Sequence, residues 1–436
     1  MTHAAPLLAL DRRHLWHPYA STTEPGPLRL VSAAQGTRLV LDDGNGPTEV
    51  VDAMASWWCQ VHGYRNPAMD SAAQDQLGRF SHVMFGGLTH EPAVRLAEQL
   101  VSMTPEPLQR VFLADSGSVA MEVACKLARQ WQVARSGGST TRMRFAALRG
   151  AYHGDTWGVM ALCDPDGGMH SMYSGAMEQH RFLPRPPAFD APATAVEQWA
   201  GQARDAIHHH RDELAAIVVE PVLQGAGGMW PWSPDALRVL RGLADEYELL
   251  LVADEIATGL GRTGRLWACE WAGVVPDVLV LGKAMTGGYC TQAALVATER
   301  VARTVSAGCG ALMHGPTFMA NPLACAISSA SLELIQQDWA RQLPALEAGL
   351  RAGLAGLDGH PGVDQVRILG GTAAVELAVD LDMALATDTA IANGAWLRPF
   401  RNLVYAMPPY VSTAEDLATI TGAMRAVVDA LTEASC

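Results

Sequence analysis

PDVLVLGKAMTGG, residues Pro276–Gly288, places a charged side chain directly after a buried-type strand. Val278–Leu281 is a short, unbroken apolar run, which is typical of a strand buried on both faces of a parallel sheet. Gly282 ends the run and Lys283 follows at once. A lysine there is costly unless its charge is paired or its chemistry uses the neutral amine. Taken alone, the pattern favours an ordinary surface lysine in a glycine-rich turn.

A second stretch, LLLVADEIATGLGRTG (Leu249–Gly264), changes that balance. Its apolar run ends at Asp254, 29 positions before Lys283. An isolated acid at a strand end is more often a helix cap or a salt-bridge partner. However, ligands of open parallel sheets bind beyond the carboxyl ends of the strands, so this acid and this amine can face one pocket. Pyridoxal 5′-phosphate needs such a pair: the lysine forms a Schiff base and the carboxylate keeps the pyridine nitrogen protonated.

The composition excludes several classes of partner. The chain has 436 residues, 49% of them hydrophobic, which is enough for one large domain and a smaller one. Its formal net charge of −14 argues against nucleic acid or an anionic membrane surface as a partner. No apolar run approaches the roughly 18 residues of a membrane span, and the N-terminus is a poor signal peptide.

The cysteines and histidines give no metal site. The 8 cysteines contain no CxxC motif and no His/Cys cluster at zinc spacing, so we expect buried thiols in a reducing compartment. The run His208–His210 occupies successive positions of a predicted helix, which do not converge on one ion. We therefore expect a soluble cytoplasmic protein without a bound metal.

Alternation of strands and helices predicts an α/β fold. Apolar runs that alternate with helical segments indicate a mostly parallel sheet with helices on both faces. These runs end near Ala114, Leu148, Val219, Val252 and Leu281. A further strand is predicted at 293–297, whereas residues 163–200, rich in Pro and Gly, are predicted to hold little regular structure.

The chain outside this alternation predicts a second, smaller α+β domain. We assign residues 1–60 to its N-terminal part, 61–326 to the large domain and 327–436 to its C-terminal part. Short strands are predicted at 37–43 and 49–58. In a strand, Trp57 and Trp58 point to opposite faces, so one of them faces a ligand or another subunit, unless both pack between the domains.

Two strand ends of the large domain carry further candidate site residues. Gly117 and Ser118 open a helix that continues to about Ala134, and a helix start is an anion site suited to a phosphate. After the next strand, Tyr152, His153 and Asp155 emerge in a glycine-flanked turn. An aromatic ring there can stack on a flat cofactor, although His153 also fits an ordinary loop histidine.

Five segments together resemble the class III aminotransferases, enzymes of the pyridoxal-phosphate-dependent fold type I. They are SGSVAMEVACKLAR, EPVLQGAGG, ADEIATGLGRTG, LGKAMTGG and HGPTFMANPLACA, spread over most of the chain in the family's order. The resemblance implies a large domain with a mostly parallel central sheet and a smaller α+β domain built from both termini. It also implies a homodimer with shared active sites.

The resemblance also implies roles for individual residues. Lys283 is the Schiff-base lysine, Asp254 pairs with the pyridinium nitrogen, and Tyr152 stacks on the ring. Gly117 and Ser118 match the residues that bind the cofactor's phosphate. Pro316 and Thr317 match a loop that reaches the phosphate of the cofactor bound by the neighbouring subunit. Trp57, Gly315 and Arg398 match substrate contacts, and Arg398 suits a carboxylate through its planar fork. Tyr19 and Asp155 match positions that recognise the two substrates.

Four further segments favour a particular pair of substrates. LWHPY, SWW followed by HGY, YHGDTWG and WLRPFRNLVYAMPPY resemble family members that pass the amino group of S-adenosylmethionine to 8-amino-7-oxononanoate in biotin synthesis. Two alternatives stay open from the residues. One is a class III transaminase of an ω-amino acid such as ornithine, and the other is an aminomutase on the same scaffold.

Overall fold

The computed structural model describes residues 4–435, which form two units. The first unit combines the N-terminal residues up to Pro67 with the C-terminal residues from Pro344, and the second is Ala68–Leu343. The helices are α1 (Ala4–His14), α2 (Ala55–Trp58), α3 (Pro67–Leu77), α4 (Glu91–Met103), α5 (Gly117–Arg135), α6 (Trp157–Met160), α7 (Ala193–His210), α8 (Pro234–Glu246), α9 (Glu299–Cys309), α10 (Pro322–Leu354), α11 (Met383–Ala392) and α12 (Ala414–Ser435).

The strands follow the same chain-order numbering. They are β1 (Leu30–Gln35), β2 (Arg38–Asp42), β3 (Pro47–Asp52), β4 (Leu108–Ala114), β5 (Arg144–Leu148), β6 (Arg181–Leu183), β7 (Leu214–Val219), β8 (Leu223–Gln224), β9 (Trp230–Pro231), β10 (Leu250–Asp254), β11 (Val278–Leu281), β12 (Ala293–Thr298), β13 (Val363–Leu369), β14 (Thr372–Leu377), β15 (Ala395–Trp396) and β16 (Leu403–Ala406).

A seven-stranded sheet forms the centre of the second unit, in the order β4-β12-β11-β10-β7-β5-β6. From β11 to β6 all neighbours are parallel, and β12 runs antiparallel to both β11 and β4. This mixed sheet confirms the predicted α/β fold with a mostly parallel sheet. Every residue of β7, β10 and β11 is buried, as expected of strands covered on both faces.

Helix α5 covers one face of this sheet. Its Met121, Val123 and Trp131 pack in one hydrophobic cluster with Phe145 of β5 and Val280 of β11. Fully burying a large apolar side chain contributes roughly 1.5–3 kcal/mol. The cluster therefore fixes α5 against the sheet, and with it the position of the helix start.

Three elements of this unit differ from the expectation. Residues 163–200, predicted to be mostly irregular, contain strand β6 and the start of α7. Strand β6 has only three residues, and α7 starts after Pro192 without a side-chain cap, so local signals for both are weak. Strand β12 was predicted, but its antiparallel direction is set by its neighbours rather than by its own sequence.

The first unit is built from both ends of the chain. Strand β15 pairs in parallel with β3, so a C-terminal segment completes the N-terminal sheet β1-β2-β3-β15. Asp416 of α12 accepts a hydrogen bond from Thr37 and forms an ion pair with Arg38 at 2.8 Å. These contacts confirm a smaller α+β domain from both termini.

The strand predicted at 49–58 is wrong in its second half. Strand β3 ends at Asp52. The short segment α2 (Ala55–Trp58) is a single left-handed turn rather than a regular α-helix, because all four of its residues have positive φ. As predicted for a strand, the two indoles still face different surroundings: Trp58 is 8% exposed, whereas Trp57 is 49% exposed. Val50 and Val51 favour a strand in the first half, and the two tryptophans favour its continuation, but hydrogen bonds to Asp52 turn the chain instead.

The cysteine expectation needs a partial correction. Among residues 4–435, seven cysteines are free; four are buried, but Cys59, Cys290 and Cys309 are half-buried. Cys436 lies outside the described residues.

Within residues 4–435, none of the helices combines the length and the apolar composition that a membrane span requires.

Candidate active site

Asp254 and Lys283 follow adjacent parallel strands. Asp254, the last residue of β10, is in register with Val280 of β11, and Lys283 comes three residues later. The backbone N–H of Glu255 donates to the carbonyl of Val280 at 2.8 Å, which extends the pairing beyond the strand end. Both side chains therefore start from the carboxyl edge of the sheet, where α/β proteins bind their ligands.

Lys283 occupies an unusual backbone position. It is half-buried, has a φ of 38°, and opens a short 3-10 turn directly after Gly282. A positive φ in a non-glycine residue is uncommon and concentrates at functional sites. The chain contains only two lysines, Lys126 and Lys283, and Lys126 is exposed on α5.

Asp254 is buried and held by two donors. Its side chain is 5% exposed; Oδ2 lies 2.8 Å from Nδ1 of His153, and Oδ1 accepts the N–H of Ile256 at 3.1 Å. Burial opposes the charge of His153, but the hydrogen bond to Asp254 and the negative charges of Asp254 and Glu220 raise its pKa. The buried Nε2 of His153 has no hydrogen-bond partner within the described residues. The structure thus makes His153 part of the site.

Glu220, which directly follows the apolar run predicted to end near Val219, contacts the candidate site. It follows β7, is 5% exposed, and accepts the N–H groups of Tyr152 and Gly225 at 3.0 Å each. Burial raises the pKa of Glu220 to about 7, against the lowering effect of the charge of His153. The signal that identifies it is its position, because it is polar and ends a buried strand of the same sheet.

Helix α5 begins beside the end of β10. The Ser116 side chain caps it by accepting the N–H of Val119 at 3.3 Å. Across residues 4–435 no protein acceptor receives the N–H of Gly117 or Ser118. A Cβ on Gly117 would lie 3.0 Å from Cδ1 of Ile256, so glycine brings the helix start close to the β10 segment without displacing that side chain. Free N–H groups at a helix start bind anions.

The turn after β5 is attached to the same helix. The Asp155 N–H donates to Oγ of Ser118 at 3.2 Å, and Glu122 of α5 accepts the N–H of Gly158 at 2.8 Å. Within the turn, the hydroxyl of Tyr152 donates to Asp155 at 2.9 Å. Helix α5 therefore fixes the turn that carries Tyr152 and Asp155, two of the predicted site residues. Glu122, which makes this attachment, was not singled out from the sequence.

The loop before α10 is anchored at several points: Gln130 accepts the N–H of Met313 at 3.0 Å, and His90 Nε2 lies 2.8 Å from the carbonyl oxygen of Ala320. His82 Nε2 lies 2.7 Å from the carbonyl oxygen of Thr317. Gly315 and Thr317 are exposed, Pro316 is half-buried, and Phe318 is 59% exposed. The loop thus presents polar backbone and an aromatic ring outward from the second unit.

The remaining predicted site residues belong to the first unit. Tyr19 is 63% exposed, Trp57 is 49% exposed, and Arg398 is exposed two residues after β15. In the part of the chain that is described, no group of three or more His, Cys, Asp or Glu side chains could hold a metal ion.

These features fit pyridoxal 5′-phosphate. The cofactor requires a lysine for its aldehyde, a carboxylate for its ring nitrogen and an anion site for its phosphate. Lys283, the buried Asp254 and the free N–H groups of Gly117 and Ser118 provide these three groups at the carboxyl edge of one sheet. A Cβ on Gly117 would require the side chain of Ile256, 3.0 Å away, to move.

Curated relatives resemble nearly the whole chain. A protein of Mycobacterium leprae is 48% identical over 421 residues, which covers 95% of each chain, and one of Corynebacterium glutamicum is 44% identical and covers 97% of this chain and 98% of its own length. Both are named adenosylmethionine-8-amino-7-oxononanoate aminotransferase.

Solved structures and a family model agree with these relatives. An amine transaminase from an uncultivated Pseudomonas species, in its PLP-bound form, is 27% identical with a TM-score of 0.88 and covers 96% of this chain and 99% of its own. An adenosylmethionine-8-amino-7-oxononanoate aminotransferase from Methanocaldococcus jannaschii is 25% identical with a TM-score of 0.89 and covers 99% of both chains. The family model Aminotransferase class-III matches residues 19–428. This chain belongs to the class III aminotransferases.

Proposed function

We propose that this chain transfers the amino group of S-adenosylmethionine to 8-amino-7-oxononanoate, giving 7,8-diaminononanoate in biotin biosynthesis. Its cofactor is pyridoxal 5′-phosphate. The observation that carries the proposal is the placement of Asp254 and Lys283 at the carboxyl ends of the adjacent strands β10 and β11. The relatives named above, similar over 95% or more of the chain, supply the identity of the two substrates.

Lys283 carries the proton transfers in both halves of the reaction. The bound cofactor supplies an electron sink for the bond broken at the donor's α-carbon. Nζ of Lys283, in its neutral form, removes the α-proton of the donor. In the second half, the same Nζ delivers a proton to the carbon of the acceptor that gains the amino group. The two halves are separated by release of the oxo acid, so the reaction is ping-pong.

Asp254 provides the negative charge that keeps the ring nitrogen protonated. At about 4 Å and an effective dielectric constant near 20, its attraction to a pyridinium is roughly 4 kcal/mol. Burial strengthens the attraction and also makes an unpaired carboxylate costly. The contacts from His153 and from the N–H of Ile256 compensate that cost and orient both oxygens.

We assign the phosphate to the start of α5. The N–H groups of Gly117 and Ser118 hold it, and the positive end of the helix macrodipole favours its charge. Pro316 and Thr317 reach the phosphate bound by the neighbouring subunit, a role that suits their outward-facing loop. Tyr152, held through its N–H by Glu220, stacks on the cofactor ring.

The substrates are assigned to five side chains or backbone positions. Arg398 binds a substrate carboxylate through a bidentate contact. Trp57 and Gly315 each contact a substrate. Tyr19 and Asp155 distinguish the two substrates, and Asp155 carries a negative charge suited to the cationic sulfonium of the donor.

We further propose that the active form is a homodimer. Among the large apolar side chains of the second unit that are more than half exposed are Met84 (62%), Met313 (70%) and Phe318 (59%), and we call these three the exposed apolar set. His82 connects the segment of Met84 with the loop that carries Met313 and Phe318. The centroid of its ring lies 4.8 Å from that of Phe318, and its Nε2 contacts the carbonyl oxygen of Thr317. Exposed apolar groups of this size mark interaction surfaces.

A cytoplasmic location completes the proposal. The seven cysteines described between residues 4 and 435 are all free, which suits a reducing compartment. Expression in an intact cell followed by fractionation tests it: the activity should stay with the cytoplasmic fraction.

A spectrum of the purified holoenzyme tests the reaction. Addition of S-adenosylmethionine alone should convert the bound cofactor from its aldehyde form to its amine form, and 8-amino-7-oxononanoate should then restore the aldehyde form. Conversion by ornithine but not by S-adenosylmethionine would identify the ω-amino acid transaminase instead. Turnover of one substrate without any separate acceptor would identify the aminomutase.

Introducing a charged side chain into the exposed apolar set tests whether the protein forms the proposed dimer. Phe318→Asp should shift the holoenzyme towards a monomer in analytical ultracentrifugation and lower the affinity for the cofactor. Val275→Asp places the same charge at another exposed apolar residue, 39% exposed and outside the set, and should leave the mass unchanged. A wild-type protein that sediments as a monomer would contradict the dimer.

A further inference from the structure

The turn Ala55–Trp58 has a backbone that L-amino acids rarely adopt. The φ values of Ala55, Ser56, Trp57 and Trp58 are 42°, 45°, 58° and 78°, so four successive residues without a glycine lie in the left-handed region. Single residues visit this region, but consecutive ones are disfavoured by contact of Cβ with the following carbonyl. Surrounding contacts must therefore hold the turn.

Asp52 supplies the first of these contacts. It is the last residue of β3 and is completely buried. Its Oδ1 accepts the N–H of Met54 at 2.8 Å, and its Oδ2 accepts the N–H of Ser56 at 2.9 Å. One carboxylate thus satisfies two backbone donors on either side of Ala55, where the chain enters the left-handed turn.

Tyr64 connects the carboxylate with the turn. Its hydroxyl donates to Oδ2 of Asp52 at 2.7 Å and lies 2.5 Å from Oγ of Ser56. Burial, and then the charge of Asp52, raises the pKa of Tyr64, so the hydroxyl keeps its proton as a donor.

The backbone of Tyr64 is fixed in turn by a reciprocal pair of bonds with Gly36. The N–H of Tyr64 donates to the carbonyl of Gly36 at 2.7 Å, and the N–H of Gly36 donates back at 3.0 Å. Tyr64 is therefore a fixed point to which the turn is attached.

The consequence of the turn is a separation of the two indoles. Trp58 is 8% exposed and packs edge-on against Tyr405 with ring centroids 6.4 Å apart. Trp57 next to it is 49% exposed. A strained backbone held by several hydrogen bonds is typical of a site that presents a functional side chain.

We propose that Asp52, Ser56 and Tyr64 are positioning residues that hold the left-handed turn Ala55–Trp58 and so place the indole of Trp57 against the substrate. This inference deepens the proposed function and rests on it for the role of Trp57. The indole face suits both the carbon chain of the acceptor and, through a cation–π contact, the sulfonium of the donor.

A double-mutant cycle on the holoenzyme tests the proposal. Tyr64→Phe removes only the hydroxyl and should raise the KM of at least one substrate roughly 10-fold while kcat changes less than about 2-fold. In a Trp57→Ala background the same substitution should have almost no further effect, because the side chain it places is gone. Equal effects of Tyr64→Phe in both backgrounds would overturn the proposal.

Two further variants keep the cycle interpretable. Tyr247→Phe removes a tyrosine hydroxyl that contacts His208, away from the site, and should leave KM unchanged. If Tyr64→Phe fails to fold, Ser56→Ala removes the other partner of the hydroxyl and takes its place in the cycle. A Trp57→Ala enzyme with wild-type constants for both substrates would also overturn the proposal.

Hydrogen exchange gives a readout without turnover. In Tyr64→Phe the amides of Met54 and Ser56 should exchange at least about 10-fold faster than in the wild type. Their acceptor is the Asp52 carboxylate, which loses the hydrogen bond from the Tyr64 hydroxyl in this variant. Unchanged exchange would overturn the positioning role. Failure of the proposed function looks different: the wild-type cofactor would not respond to S-adenosylmethionine, whatever the exchange of this turn.

Discussion

Nδ1 of His153 lies 2.8 Å from Oδ2 of Asp254, and both side chains are almost completely buried. The contact links the turn after β5 to the end of β10, two segments about 100 residues apart in the sequence. It gives the carboxylate a donor at Oδ2 in addition to the N–H of Ile256 at Oδ1. The orientation of the acid is thus fixed by the protein's own groups, which is the preorganisation that electrostatic catalysis requires.

Asp254→Asn should retain the cofactor but lose turnover. The amide keeps the size of the side chain and removes the charge, so the loss approaches the roughly 4 kcal/mol of a charge pair at about 4 Å, or about 10³-fold in rate. Single-turnover spectra with S-adenosylmethionine measure the rate, and the cofactor content of the purified protein is the control. A variant with more than about a tenth of the wild-type rate would contradict the role of the charge.

His153→Asn should have a smaller effect in the same direction. The shorter side chain loses the contact with Asp254 and leaves one buried carboxylate oxygen without its donor, which typically costs about 1–3 kcal/mol. We expect turnover to fall roughly 10- to 100-fold. In the Asp254→Asn background the His153 substitution should add little, and a full additional loss there would show that His153 acts elsewhere.

Gly117→Ala should weaken cofactor binding. The added Cβ would meet Ile256 at 3.0 Å and push the helix start away from the β10 segment. We expect the dissociation constant of the cofactor to rise about 10-fold or more, measured by titration of the apoenzyme. Gly242→Ala, in the exposed middle of α8 with no atom within 4 Å of the new Cβ, is the matched control and should bind as the wild type does.

Stability should fall with rising pH because of Glu255. Burial raises the pKa of Glu255 to about 7, although the N–H groups of Ala268 and Cys269 donate to it at 2.6 and 2.9 Å. Between pH 4.5, the ordinary pKa of a glutamate, and about pH 7 the folded protein holds a proton on Glu255 that the unfolded chain has released. The free energy of unfolding therefore decreases as pH rises through this window, by up to about 1.4 kcal/mol per pH unit.

Glu255→Gln isolates this contribution from that of Glu220. The difference in unfolding midpoint between the wild type and the variant should change across the window from about pH 4.5 to about pH 7 and be constant above it. A difference that does not depend on pH would contradict the buried, proton-binding state of Glu255.

The fold was largely predictable because its strands are buried on both faces. A run such as Val278–Leu281 carries its own signal, since every position is apolar. Strand β6, with three residues and an arginine at its start, carries almost none and is recruited by pairing with β5. The left-handed turn at Ala55–Trp58 was not predictable either, because it depends on Tyr64 and Asp52 rather than on local propensity.

The candidate site was predictable where residue type and strand end coincide. Asp254 and Lys283 satisfy both conditions, and the helix start at Gly117 adds a third group. His153 could not be separated from a loop histidine, since its importance arises from burial against a distant strand. Glu122 accepts a backbone N–H from a position inside helix α5, and such a contact leaves no mark in the sequence. Glu220 does carry the strand-end signal, because it directly follows the buried strand β7.

Reductive trapping tests the central claim most directly. The holoenzyme is treated with borohydride, which fixes a lysine-bound cofactor irreversibly, and the modified peptide is mapped by mass spectrometry. With only two lysines in the chain, Lys126 is an internal control in the same sample. The account predicts the added mass on Lys283 alone; modification of Lys126 instead, or of neither lysine in protein that contains the cofactor, would contradict it.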